Sequence, residues 1–133
     1  MNVSFDFIYV GKVYSRSQLV DLWKYKGTQA ISRGVVTPQN TNKIILFVTK
    51  EKQKSATQYR DFIQNNQLFW EGPNDHFAED RIINSSQSGD EIHLFYRERY
   101  NMDFTYYGIL VPIPNQFRRG EPSCFVFTIC NYK

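Results

Sequence analysis

The segment Lys43-Ile44-Ile45-Leu46-Phe47-Val48-Thr49 constrains the fold of this chain more than any other stretch. Its apolar run spans residues 44–48, far short of the ~20 residues that a membrane-crossing helix needs. Side chains alternate faces along a strand, so an unbroken apolar, β-branched run needs cover on both sides. The segment therefore predicts a central strand in a sheet that is packed on both faces.

The flanking sequence supplies the rest of such a sheet. Residues 5–10 read as a short first strand ended by Gly11. Ser15-Arg16-Ser17-Gln18 has capping-box spacing and precedes Leu19, Leu22 and Trp23, which share one helical face, so a helix is predicted over residues 16–26 with Gly27 as its stop. Residues 57–63 and 67–71 read as strands of a hairpin joined by Gln64-Asn65-Asn66. Asp75 is placed to cap a second helix through residue 86, with Phe77, Ile82 and Ile83 towards the core. Residues 91–97, 103–110 and 122–130 complete about seven strands and two main helices. The expectation is one α+β domain over residues 1–133, built on a strongly curved mixed sheet or partial barrel.

Charge and aromatic content narrow the function. The net charge is only +3, but residues 1–60 carry +7 and residues 61–133 carry −4. Such a split suggests a polyanionic partner facing the first half, unless the fold interleaves the halves. Eleven Phe can be absorbed by a core; nine Tyr and two Trp must also place polar tips, which predicts that some line a cleft. Cys124 and Cys130 have neither disulfide reach along one strand nor metal-ligand spacing, and read as buried or half-buried thiols. The start, Met1-Asn2-Val3-Ser4-Phe5-Asp6, lacks a basic patch followed by an apolar stretch, so the expected compartment is the cytoplasm.

No phosphate loop, nucleophile elbow, paired Cys-x-x-Cys or His-x-x-x-His occurs. The reading is therefore a binding domain without catalytic residues, metal or cofactor. Asp75, Glu79 and Asp80 sit at a predicted helix start, where carboxylates meet the helix dipole favourably. Tyr59-x-Asp61 sets an aromatic ring and a carboxylate two residues apart, on one face of a strand, suited to stacking on a base and accepting from its amino group. Trp70, beside Glu71 and before Gly72-Pro73, is a candidate pocket rim, and Tyr106 lies in another aromatic strand. Lys50, Lys52 and Lys54 alternate beyond the central strand and, with Arg16 and Arg33, are the candidate phosphate contacts.

Read in order, Ile44-Ile45-Leu46-Phe47-Val48-Thr49, Tyr59-Arg60-Asp61, Leu68-Phe69-Trp70-Glu71, Asp80-Arg81-Ile82-Ile83-Asn84, Ile92-His93-Leu94-Phe95-Tyr96-Arg97 and Phe104-Thr105-Tyr106-Tyr107-Gly108 resemble a known series. It is that of the uncharacterised domain appended to prokaryotic helicase-nuclease proteins and HNH restriction-type endonucleases. The resemblance covers residues 33–130. Tyr14-Ser15-Arg16 and Arg33-Gly34-Val35-Val36-Thr37-Pro38 resemble its endonuclease-associated branch. It implies a PUA-like fold, similar to the SRA domains that flip a modified cytosine into an aromatic pocket. It further implies a reader of DNA, modified or not, that works beside a nuclease or helicase in restriction or phage defence. Family members often carry Ser-Gln where this chain has Glu71-Gly72, a departure at the pocket rim. Three other functions fit the residues: an RNA-binding PUA-like domain, a nuclease using His93 with Asp61 and Asp80, and a protein-interaction module.

Overall fold

The computed structural model describes residues 2–54 and 58–131. The run 43–49 lies in β3 (Lys43–Glu51), which pairs in parallel with β6 (Glu91–Arg99) from Lys43 opposite Glu91 to Glu51 opposite Arg99. The short β2 (Val35–Val36) runs antiparallel along the other side of β3. Beyond β6 follow β7 (Phe104–Pro112), β8 (Cys124–Ile129), β5 (Gln67–Glu71) and β4 (Phe62–Gln64), each antiparallel to its neighbour. A two-residue β1 (Val13–Tyr14) pairs with the start of β7, making eight strands in one mixed sheet.

Alternation along β3 explains how the sheet is filled. Ile44, Leu46 and Val48 enter one cluster with Leu68, Trp70, Phe125 and Phe127 from β5 and β8. Those strands lie four and three places away from β3 in the sheet order, so the sheet must curl back on itself to bring them together. Ile45 and Phe47 point the other way, into a cluster with Phe95, Phe104 and Tyr106 that is roofed by Leu19, Val20 and Trp23. Both faces of β3 are covered, as the sequence required, and the architecture is the curved α+β sheet expected from it.

The roof is α1 (Arg16–Trp23), and its capping box forms in full. Ser15 Oγ accepts the Gln18 N–H at 3.1 Å, and Gln18 Oε1 accepts the Ser15 N–H at 2.7 Å. The helix stops before residue 26 because Lys24 turns left-handed, at φ 60°, and the Lys24 and Tyr25 N–H groups fold back onto the Asp21 and Val20 carbonyls. A 3-10 turn (Thr28–Ile31) follows.

Four other expectations need correction. Residues 5–10 form no strand; Phe5 instead lays its ring flat on His93, with centroids 3.6 Å apart, and pairing to β7 begins only at Gly11, whose N–H donates to the Tyr106 carbonyl. The helix expected over 75–86 starts only at Glu79, because His76 and Ala78 adopt left-handed φ of 59° and 62°, and it is divided at Asn84 into α2 (Glu79–Ile83) and α3 (Ser85–Ser88). Asp75 caps only a local turn, accepting the Phe77 N–H, although Phe77, Ile82 and Ile83 do face the inner cluster. Of the strand expected over 57–63, Thr57 lies outside the described residues, and residues 58–61 are irregular before β4 begins at Phe62. Its hairpin with β5 turns at Asn65, whose φ of 55° suits asparagine. Finally, both cysteines are exposed and free: Cys124 points outward at the start of β8, and Cys130 falls beyond its end.

A bulge bends the sheet where β6 meets β7. The register shifts between Leu94 and Phe95, opposite Gly108, which takes φ 89°. A Cβ on Gly108 would sit 2.6 Å from the Asn131 side-chain oxygen. Gly108→Ala is therefore expected to cost about 2 kcal/mol from the left-handed backbone and the clash together. Denaturant unfolding should show a lower midpoint at unchanged slope.

Candidate base-binding pocket

The curl of the sheet leaves a cavity of about 370 Å³ at the C-terminal end of the β3–β6 pair. Phe47 and Thr49 of β3 and Arg97 of β6 form one wall, and Trp70 and Glu71 at the end of β5 form another. Lys52, Tyr59 and Asp61 close the side between them. Arg33 and Tyr100 stand at the same opening.

One ammonium group organises this side. β3 ends at Glu51, and the chain turns Lys52 inward, where Nζ donates to the carbonyls of Thr49 and Tyr59 and lies 3.1 Å from Asp61 Oδ2. An ammonium has three hydrogens, so these three oxygens use all of them. The Lys52 and Asp61 side chains are only 12% and 5% exposed. Asp61 Oδ1 accepts the Glu71 N–H at 2.8 Å, and the Glu71 carboxylate accepts the Arg60 N–H. Tyr59 is anchored at its far end, where its hydroxyl accepts the Asn74 N–H. The stretch 58–61 thus owes its shape to side-chain and ionic contacts rather than to a ladder.

Burial raises the Asp61 pKa above the ordinary carboxylate value, against the pull of the Glu71 N–H and the Lys52 charge. A carboxylate offers about four lone-pair sites, and contacts among the described residues use two of them. What remains is a fixed acceptor edge in a wall that also carries the Tyr59, Trp70 and Phe47 rings. Such a wall can stack on a planar ring and accept from an amino group on its edge.

Of the residues expected from the sequence, Tyr59, Asp61, Trp70, Glu71, Arg33 and Lys52 all line this cavity. Their roles differ from expectation in part. Lys52 is spent on the protein and has no hydrogen left for a phosphate. Trp70 is only 6% exposed and belongs to the inner core as much as to the wall, packing against Phe125 and Phe127. Arg33 reaches the opening but pairs with Asp75 at 3.0 Å.

The other four lie elsewhere. Tyr106 is buried in the outer cluster, its hydroxyl 2.6 Å from His93 Nδ1, and is no part of the pocket. Lys50 is exposed on β3 and lies 3.9 Å from Glu98 of β6. Lys54 lines a neighbouring depression with Arg99 and Tyr100. Arg16 stacks over Phe47 and Phe104, behind the pocket wall. The acids at the start of α2 are also engaged: buried Glu79 is held by His76, Ser123 and Arg119, and Asp80 lies 3.6 Å from Arg119. No hydrogen bond or ion pair among the described residues links any two of His93, Asp61 and Asp80. Arg97, Thr49 and Tyr100 were not singled out from the sequence. They reach the pocket through the parallel β3–β6 register, and no local spacing in the sequence signals that pairing.

Structures of the SUVH5 SRA domain, two in complex with fully methylated CG DNA and one with hemi-methylated CG DNA, superpose with TM-scores of 0.60. All of this chain and 97% of each of those chains are covered, at 12–14% identity. This is an SRA-like, PUA-like fold. The chain itself belongs to the family described as domain of unknown function DUF3427, whose profile matches residues 7–123. No match was found among curated proteins. Among the described residues, no helix is long and apolar enough to cross a membrane.

Two measurements test these assignments. Lys52→Met leaves the Asp61 carboxylate buried without its cation, and is expected to lower unfolding stability by about 3–5 kcal/mol. Removing the carboxylate as well, in Lys52→Met/Asp61→Leu, should recover much of that loss. In the outer cluster, burial pulls the His93 pKa down to about 4, so the folded state keeps the ring neutral. The unfolded ring protonates near pH 6.5, so the stabilisation is full above that pH and is lost as pH falls from 6.5 towards 4. The loss should be on the order of 3 kcal/mol, and His93→Gln should flatten that part of the stability–pH curve.

Proposed function

We propose that this domain is a DNA reader that takes one extruded, modified base into the cavity beside Asp61. The observation that carries the reading is the Asp61 carboxylate, held by Lys52 and the Glu71 N–H against a wall containing Tyr59 and Trp70. A fixed acceptor beside aromatic rings suits a base that presents an exocyclic amino group, such as the N4 of cytosine or the N6 of adenine. The volume is adequate: a cavity of ~150 Å³ already encloses a benzene, and this one is about 370 Å³. The methylated CG DNA in the SRA complexes supports duplex DNA as the partner and methylation as the first modification to try.

In this reading residues 1–133 act as one recognition domain without catalytic residues of their own. The resemblance to domains of helicase-nuclease and HNH proteins supports a nuclease or helicase as the working partner, in restriction or phage defence within the cytoplasm.

Tyr59→Ala is the informative variant, because Trp70→Ala would remove a core side chain at a cost of about 3–5 kcal/mol and confuse binding with folding. Anisotropy titrations with plain, methylated and hydroxymethylated duplexes should show a base preference. Tyr59→Ala should weaken the preferred duplex by ~1–3 kcal/mol, or roughly tenfold to a hundredfold, while the others change little. Absence of binding to all three duplexes at low salt overturns the reading. Tighter binding to matched RNA oligomers would transfer it to RNA.

A further inference from the structure

Two arginines beside the pocket form no ion pair among the described residues. The Arg16 and Arg97 guanidinium carbons both lie over the Phe104 ring, 4.9 and 4.2 Å from its centre, and Arg16 also covers Phe47, a wall residue of the pocket. Both side chains are partly buried. Their hydrogen bonds go to neutral oxygens: Arg16 Nε to the Ile31 carbonyl, Arg97 Nε to Thr49 Oγ1, and Arg97 Nη1 to the Met102 carbonyl. Among the described residues neither has a carboxylate within ion-pair distance. Asp103 favours the Arg97 charge only from farther away.

Burial and mutual repulsion both oppose this arrangement. Partly buried arginines are ordinarily paired. Burial first, and the neighbouring Arg97 second, pull the Arg16 pKa down to about 10. Arg97 is shifted the same way by burial. Arg16 is moreover the first residue of α1, whose first turn contains no acid, so a cation stands at the positive end of the helix dipole. Elsewhere the chain pairs its cations readily, as in Lys43 with Glu91 or Arg81 with Asp90. Unlike those, the Phe104 pair is left open on three counts: two guanidinium groups, their mutual repulsion and a helix N-terminus.

We propose that Arg16 and Arg97 form an anion seat, floored by Phe104, that holds a phosphodiester of the DNA strand whose base enters the pocket. The inference rests on the pocket being a base site, because Arg97 lines that pocket while Arg16 stacks behind its wall. Guanidinium forks match phosphate oxygens in pairs, and a stacked guanidinium is already oriented to do so. A phosphate here would also relieve the repulsion between the two cations.

The test uses salt dependence, which separates a phosphate contact from a structural role. Each lost contact to duplex DNA should lower the slope of log K against log salt by ~0.9, and weaken all duplexes by a similar factor. Arg97→Gln and Arg16→Gln should each lower the slope, and Arg16→Gln, whose side chain lies outside the pocket lining, should leave the ratio between modified and plain DNA unchanged. Arg97→Lys should keep the slope. If either glutamine variant fails to fold, the wild-type side chains decide: the Nε–Hε resonances of Arg16 and Arg97 should move on adding plain duplex. Duplex binding with unchanged slopes, or with unmoved resonances, overturns the seat and spares the base site. Resonances that move with inorganic phosphate, in a protein that binds no duplex, overturn the DNA reading and leave a seat for free phosphate. If neither duplex nor phosphate has an effect, both proposals fail.

Discussion

The parallel pairing of β3 with β6 is the constraint on which the rest of the structure hangs. It joins two nine-residue strands, each paired on both sides, and gives each an apolar side chain on either face. The even positions of β3 demand an inner core, and β5 and β8 can supply it only if the sheet curls. The odd positions demand an outer roof, which α1 provides. Where the apolar run ends, at Thr49 opposite Arg97, the two cores stop and the pocket opens. The site is thus the place where this strand pair runs out of side chains to bury.

Polar chemistry takes over at that point. Lys52 does what a strand ladder does elsewhere, tying three separate backbone and side-chain oxygens into one corner. Such a corner is rigid only while both charges are present, because either one alone in that environment is heavily penalised. Asp61 can therefore be a fixed acceptor in the pocket only through a cation that is itself withheld from any ligand. Recognition and local stability share one ion pair.

The elements that were legible in the sequence are those with a one-dimensional signature. The doubly covered β3, the capping box of α1, the hairpin at Asn65 and the aromatic-carboxylate pair Tyr59 and Asp61 all announce themselves through neighbours along the chain. The errors fall where a distant contact overrides local preference. Residues 5–10 look like a strand but are held by stacking of Phe5 on His93. Residues 75–86 look like one helix, but buried Glu79 is drawn to Ser123 and Arg119 from the other end of the chain, and the backbone is broken at His76 and Ala78 just before it. Tyr106 looks like a pocket residue because its strand is aromatic, yet alternation along β7 sends it to the outer core.

Charge shows the same limit most clearly. The excess of cations in residues 1–60 pointed to a polyanion, but folding brings the two halves together. Arg33, Lys43, Lys50 and Lys52 meet Asp75, Glu91, Glu98 and Asp61, each from the acidic second half. Much of the asymmetry in the sequence is therefore consumed inside the structure and cannot steer a ligand. What survives is sharper than the total. Arg16 reaches a partly buried position with no carboxylate within ion-pair distance among the described residues, and the charge that acts on it there is another arginine's. A cation that remains unpaired in a chain with enough acids nearby is better evidence for an anionic partner than an excess of cations, because only the former costs the folded protein free energy when the partner is absent.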